Sequence, residues 1–168
     1  PCSIHDHKSA LDYALRLKNL AAEVQSSLFL VMRVYLEKPR TTQGWQGLIK
    51  DPNLDNSFDV NKGLTIAREL LYEINSLGLP TATEFLEPLL TPYIADLISW
   101  GAIGARTSES QIHRNLASGM NMAIGFKNST TGDIQTAINA LIASKNENYY
   151  FGIDHDGQAN LIHTTGND

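Results

Sequence analysis

Apolar residues along this chain recur either at three- and four-residue steps or in short runs, and the two patterns take turns. Leu11, Ala14, Leu15, Ala21 and Val24 predict a helix from Ser9 to about Gln25, with Asp6 or Ser9 as its cap. A strand is expected from Leu28 to Tyr35. After it comes a long loop, Leu36 to about Val60, holding Gly44-Trp45-Gln46-Gly47 and Asp51-Pro52; ordered loops of that length are often functional. Leu64, Ala67, Leu71 and Ile74 predict the next helix, about Asn61 to Ser76, closed by Gly78 as C-cap and by Pro80. A short strand is expected over Thr81 to Phe85, and a helix from the Thr91-Pro92 start to about Trp100. Then follow a strand Ala102 to Arg106, a helix Ser108 to Ser118 capped by Thr107 or Ser108 and stopped by Gly119, and a strand Met122 to Lys127. Ile134, Ala137, Ile138, Leu141 and Ile142 share one side of a helix from Asp133 to Ser144. Tyr149 to Ile153 is the last clear strand, with Ala159 to His163 pairing locally near it. Strand and helix in alternation mark an α/β domain on a parallel sheet, and without repeats or low-complexity segments the chain reads as one unit.

One stretch joins this pattern to chemistry. Alternation along the first strand puts Met32 and Val34 on one face and Arg33 and Tyr35 on the other. The strand then runs into Lys38-Pro39-Arg40-Thr41-Thr42, where the proline ring restricts how its two basic neighbours are presented. Lysine offers a point charge and arginine a fork matched to phosphate or carboxylate, so the turn suits an anionic ligand. A solvated loop at a strand end would use the same residue types.

Composition narrows the ligand. With 168 residues the chain has room for one domain with a core, and 42% hydrophobic with 18% charged residues is a soluble globular balance. A formal net charge of -5 argues against nucleic acid or an anionic membrane as the main partner. A basic cluster in such a chain points to a small anion. The single cysteine excludes an intrachain disulfide framework and fits a reducing, cytoplasmic setting. No apolar run approaches the roughly 18 residues of a membrane span. The chain opens at Pro1 without an initiator methionine and stops at Asp168 just after a strand-like run, so it reads as cut at both ends. Pro1 then marks a truncation rather than a catalytic secondary amine.

The charges fall at strand ends. Arg33 with Lys38, Glu84, Arg106 and Lys127 each sit at or just past the C-terminal end of a different expected strand. Parallel strands align those ends on one rim, which in a (β/α)8 barrel is where active sites are built. Arg33, Lys38, Arg40, Arg106 and Lys127 are five of the 13 basic residues. Together they outline a pocket for a ligand with more than one anionic group. Cys2 reaches the same rim if Pro1-Cys2 ends a preceding strand, as a thiolate metal ligand, a nucleophile or a small buried hydrophobe. His5 and His7 read as surface residues opening a helix, and Glu109 with His113 as a surface pair at i, i+4 spacing. His155 and His163 lie among Asp154, Asp156 and Asn160, a set that reads as solvated turn residues or as a metal cluster.

Several ordered motifs carry a resemblance across nearly the whole chain: Pro-Cys-Ser-Ile-His-Asp at 1–6, Met-Arg-Val-Tyr-Leu-Glu-Lys-Pro-Arg-Thr-Thr at 32–42, Gly-Ala-Ile-Gly-Ala-Arg-Thr at 101–107 and Gly-Phe-Lys-Asn at 125–128. Trp45 to Gly47, Asp55 to Phe58, Glu109 to Gln111 and His113-Arg114 join them. The chain resembles the microbial type I 3-deoxy-D-arabino-heptulosonate 7-phosphate (DAHP) synthases. That resemblance implies a metal-dependent (β/α)8 TIM barrel, an incomplete one of about six βα units in this chain. It implies condensation of phosphoenolpyruvate with erythrose 4-phosphate, the first step of the shikimate pathway. Arg33, Lys38, Arg106 and Lys127 would hold phosphoenolpyruvate, with Lys38 at the reacting centre and Glu84 placing the attacking water. Pro39, Arg40 and Thr41 would line the erythrose 4-phosphate site. Cys2 would be one ligand of a divalent metal ion (Mn, Fe, Co or Zn). A homo-oligomer, dimer or tetramer, is implied as well.

The chain departs from the pattern in places. The remaining metal ligands of the family, a His, a Glu and an Asp, fall beyond Asp168, so the isolated segment is expected to be inactive. Asn121 and Ala123 stand where members sensitive to phenylalanine or tyrosine carry Ser and Pro. A non-catalytic anion-binding or allosteric module derived from the same barrel is the alternative reading.

Overall fold

The computed structural model describes residues 3–40, 42–154 and 156–167. They belong to two units: Pro1–Glu84 with Leu89–Trp100, and Phe85–Pro88 with Gly101–Asp168.

In the first unit, α1 (His7–Val24) begins where the Asp6 carboxylate accepts the Ser9 amide at 2.7 Å, satisfying one of the donors a first turn leaves over. Asp59 does the same for α2 (Val60–Ser76) through the Lys62 amide at 3.1 Å. Ala67, Leu70, Leu71 and Ile74 of α2 are fully buried. Strands β1 (Met32–Arg33) and β2 (Thr81–Glu84) pair in parallel, Met32 with Thr81 and Arg33 with Ala82. The first strand is far shorter than the expected Leu28 to Tyr35. The ladder opens with the Met32 amide on the Pro80 carbonyl, and proline has no N–H to return to the preceding residues. Leu28 and Phe29 are accordingly left exposed.

The helix expected from Thr91 to Trp100 is one short turn, α3 (Thr91–Ile94), continued as a 3-10 turn over Ala95–Leu97. Its continuation is blocked because the Leu97 carbonyl is already taken by the Thr81 hydroxyl at 2.6 Å and the Asn75 amide at 2.9 Å. Arg68 on α2 grips this segment. Its guanidinium meets both Asp96 carboxylate oxygens, at 2.8 and 2.9 Å, and donates to the Tyr93 carbonyl. That fork holds the Asp96 carboxyl below the usual aspartate range.

The second unit holds almost all of β3 (Trp100–Ile103), then α4 (Gln111–Ser118), β4 (Ala123–Phe126) and α5 (Gln135–Ser144). β3 and β4 are neighbours, and the Lys127 amide continues their ladder onto the Ile103 carbonyl at 3.0 Å. Helix α4 starts three residues later than expected because residues 105–109 coil in turns about the Gly104 carbonyl. α5 corrects its expected apolar side. Thr136, Ala140 and Ser144 are its buried residues, whereas Ile134, Ile138, Leu141 and Ile142 are exposed.

The last strands, β5 (Asn148–Ile153) and β6 (Ala159–Thr164), pair antiparallel in a sheet of their own. The turn between them, closed by the Asp154 amide on the Gln158 carbonyl at 3.0 Å, is too short for a crossover to a parallel partner. The chain is thus α/β with parallel pairing between β1 and β2, and the hairpin adds no further βα unit. Among the described residues strand–helix alternation gives way to the hairpin after α5. Among the described residues no helix is long and apolar enough to cross a membrane.

Two measurements check this packing. A Cβ at Gly63 would overlap the Ile49 carbonyl oxygen. In an open helix Gly→Ala gains about 1 kcal/mol, but Gly63→Ala is expected to destabilise by roughly 1–3 kcal/mol in urea unfolding, because overpacking outweighs propensity. Asp96→Asn is expected to cost about 0.5–1 kcal/mol at pH 7, as a forked surface pair does. Asp96 has a lowered pKa in the folded state, so its contribution is present above the ordinary aspartate value of about 3.9. The gap between wild type and variant should close as pH falls through the folded pKa.

Candidate functional site

Arg33 ends β1 and Glu84 ends β2, neighbouring parallel strands of the first unit. Met32, Val34 and Leu36 are buried, Arg33 is exposed, and Tyr35 and Glu84 are half-buried. Strand alternation has therefore sorted the cation and the ring onto the face away from the apolar residues, as expected. The Arg33 guanidinium carbon lies 3.8 Å from the centroid of the Tyr35 ring. Such a contact contributes about 0.5–1 kcal/mol at an exposed site and fixes the plane of the fork. Its N–H edges are the part that carboxylates and phosphates recognise.

Beyond β1 the long loop folds back on the chain that it leaves. The Ile49 amide donates to the Leu36 carbonyl at 3.2 Å, and the Lys38 amide to the Gln46 carbonyl at 3.1 Å. Gly47 makes this possible. At φ 103° its position suits glycine, and a Cβ there would lie 2.7 Å from both the Leu36 carbonyl oxygen and the Glu37 Cα. Arg40 donates from Nε to the Trp45 carbonyl at 2.8 Å, and Trp45 donates from its indole to the Asp51 carbonyl at 2.7 Å. The buried Asp51 carboxylate in turn accepts the Asn56 amide at 3.1 Å. Lys38 is half-buried, while Pro39 and Arg40 are exposed at the mouth of this folded loop. Thr41 and Cys2, the remaining candidates here, lie outside the described residues.

In the second unit, Arg106 falls in the turn after β3 rather than inside the strand, and Lys127 directly follows β4. Both are exposed. The Ser108 hydroxyl lies within hydrogen-bond distance of the Gly104 and Lys127 carbonyls, at 2.9 and 2.8 Å. Arg114 on α4 donates from Nε to the Ser108 carbonyl at 2.8 Å.

His113 overturns the surface pair expected with Glu109. Glu109 precedes α4, and the imidazole is buried. Nε2 lies 2.9 Å from the Leu86 carbonyl and Nδ1 2.9 Å from the Ser110 hydroxyl. A carbonyl can only accept, so the Nε2 proton points to Leu86 and Nδ1 takes the serine proton in the neutral ring. His113, Ser108 and Arg114 were not foreseen as structural ties, since a serine before a helix looks like a cap and a histidine or arginine within one looks like a surface residue.

The hairpin histidine is likewise placed. His163 stacks on Tyr149, with ring centroids 4.6 Å apart, and lies 3.5 Å from Glu147. Asp154 spends its carboxylate on the turn, accepting the Asp156 and Gln158 amides at 3.0 and 2.9 Å; His155 lies outside the described residues. Among the described residues no group of three or more His, Cys, Asp or Glu side chains is arranged to hold a metal ion.

The model of the DAHP synthetase I family matches residues 1–168. The chain is 59% identical over 167 residues to the Tyr-sensitive phospho-2-dehydro-3-deoxyheptonate aldolase of Salmonella typhimurium, covering 99% of this chain and 47% of that protein. It is 53% identical to the phospho-2-dehydro-3-deoxyheptonate aldolase of Corynebacterium glutamicum, covering 99% and 46%. The structure of the enzyme of that name from Francisella tularensis superposes with a TM-score of 0.96 at 50% identity, covering 99% of this chain and 49% of the other. The chain spans about half the length of the curated relatives that it matches.

One stability measurement checks the buried imidazole. His113→Ala leaves the Leu86 carbonyl without the donor it has now and is expected to cost about 1–3 kcal/mol in urea unfolding. His113→Gln, which keeps a donor, should recover part of that loss. Equal stability of the wild type and the alanine variant would show that the contact is dispensable.

Proposed function

The chain belongs to the DAHP synthetase I family, and on that premise we propose that it is part of a 3-deoxy-7-phosphoheptulonate synthase built on a (β/α)8 barrel. The supporting observation is where the cations fall: Arg33 at the end of β1, Lys38 and Arg40 in the turn after it, Arg106 after β3 and Lys127 after β4. Phosphoenolpyruvate carries a carboxylate and a phosphate, and within this set Arg33, Lys38, Arg106 and Lys127 match that charge.

In the proposed reaction C3 of phosphoenolpyruvate attacks the aldehyde carbon of erythrose 4-phosphate, forming the new carbon–carbon bond. Water adds to C2, the bond from C2 to the bridging oxygen breaks, and inorganic phosphate leaves. Arg33, Arg106 and Lys127 hold the carboxylate and phosphate of phosphoenolpyruvate. Lys38 sits at the reacting centre, where its ammonium stabilises charge that develops during the condensation. Glu84 orients the water that reaches C2. Pro39, Arg40 and Thr41 form the erythrose 4-phosphate side, Arg40 being steadied by the Trp45 carbonyl.

A divalent metal ion belongs to this reading through Cys2. When bound it would polarise the aldehyde. Among the described residues no group of three or more His, Cys, Asp or Glu side chains could hold it. The protein is further read as a cytoplasmic homo-oligomer, and the isolated 168-residue segment as inactive.

Lys38→Ala in the full-length protein is expected to reduce DAHP formation by roughly a hundred- to a thousandfold, the usual loss for one preorganised electrostatic group, with an unchanged circular dichroism spectrum. Near-normal turnover would remove Lys38 from the chemistry. Tight phosphoenolpyruvate binding by the wild type without turnover would assign the chain to a binding module instead.

A further inference from the structure

Arg106 and Lys127 are both exposed, and the anchoring of their main chain sets the space that their charges can reach. Lys127 is anchored at both ends of its main chain. Its amide donates to Ile103 at 3.0 Å, and its carbonyl lies 2.8 Å from the Ser108 hydroxyl. Ser108 follows Arg106 by two positions and is completely buried.

A hydroxyl has one proton, and here two carbonyls stand within reach of it. Gly104, the nearer in sequence, already accepts the amides of Thr107 and Ser108 at 3.0 Å each and the Thr107 hydroxyl at 3.1 Å. A carbonyl has two lone pairs, so Gly104 is saturated without Ser108. The serine proton is therefore directed to Lys127. On its other side Ser108 is held through its own carbonyl by Arg114 Nε at 2.8 Å. Residue 108 is thus pinned to α4 by its main chain and reaches to the end of β4 by its side chain.

We propose that Ser108 is a positioning residue that sets the spacing of Arg106 and Lys127, and through it the affinity for phosphoenolpyruvate. This rests on the reading above that both cations hold that substrate. Ser108 touches neither substrate nor reacting atoms. Its removal should loosen one substrate's site and leave the other unchanged.

The test is steady-state kinetics on the full-length protein. Ser108→Ala is expected to raise KM for phosphoenolpyruvate about tenfold, the loss of roughly one hydrogen bond. KM for erythrose 4-phosphate and kcat should stay within about twofold. Ser108→Cys, with similar volume and a weak donor, should fall between Ala and wild type. A drop in Tm with both KM values unchanged would make Ser108 a structural residue only and overturn the proposal. If the alanine variant does not fold, the cysteine variant decides: a selective rise in KM for phosphoenolpyruvate supports the proposal, and unchanged values overturn it. Arg106→Ala and Lys127→Ala separate the two levels. If neither raises KM for phosphoenolpyruvate, the reading of the site fails and this inference with it; if both do while Ser108→Ala does not, only this inference fails.

Discussion

Met32, Val34 and Leu36 cannot leave the interior without carrying Arg33 and Tyr35 into it, and much else in the first unit follows from that constraint. Burying each such apolar side chain stabilises by about 1.5–3 kcal/mol. A slip of one residue would lose this from all three at once and place a guanidinium among apolar groups. Pairing with β2 fixes the register, Met32 to Thr81 and Arg33 to Ala82. The cation that ends β1 is thereby committed to the opposite face, stacked on Tyr35, before any ligand is considered.

The chain downstream of β1 extends this order into what would otherwise be a mobile turn. Lys38 has its amide held by Gln46, and Arg40 has its guanidinium held by Trp45. The second unit reaches a comparable result with different parts. There a buried serine and an arginine on α4 hold the segment between Arg106 and Lys127. In both units cations are steadied by hydrogen bonds of the main chain or of the side chain itself, an arrangement that limits the entropy lost when an anion binds.

Much of this was legible in the residues, and the exceptions have physical causes. The side on which Arg33 and Tyr35 lie followed from period-two alternation, and helices α1 and α2 from their apolar steps, with Asp6 among the caps expected for α1; the Asp59 cap of α2 was not foreseen. The length of β1 was not legible, because it depends on Pro80, just before a partner strand far along the chain. The end of α3 escaped for the same reason: Thr81 and Asn75 take the Leu97 carbonyl from outside the segment. On α5 the apolar steps gave the helix but not its buried side, which is formed by Thr136, Ala140 and Ser144. Charge singled out Arg106 and Lys127 as candidates, yet nothing local distinguished Ser108 from a helix cap or His113 from a surface histidine. Such ties join residues distant in sequence, and a single chain read in order does not display them.

The proposed function requires one ligand that carries two different anionic groups. Calorimetric titration of the full-length protein with phosphoenolpyruvate, and separately with pyruvate and inorganic phosphate, measures this. The expected result is that phosphoenolpyruvate binds about ten- to a hundredfold more tightly than either fragment, because a second charge-assisted contact of roughly 1.5–3 kcal/mol is made only when both groups share one molecule. Equal affinity for inorganic phosphate and phosphoenolpyruvate would contradict it.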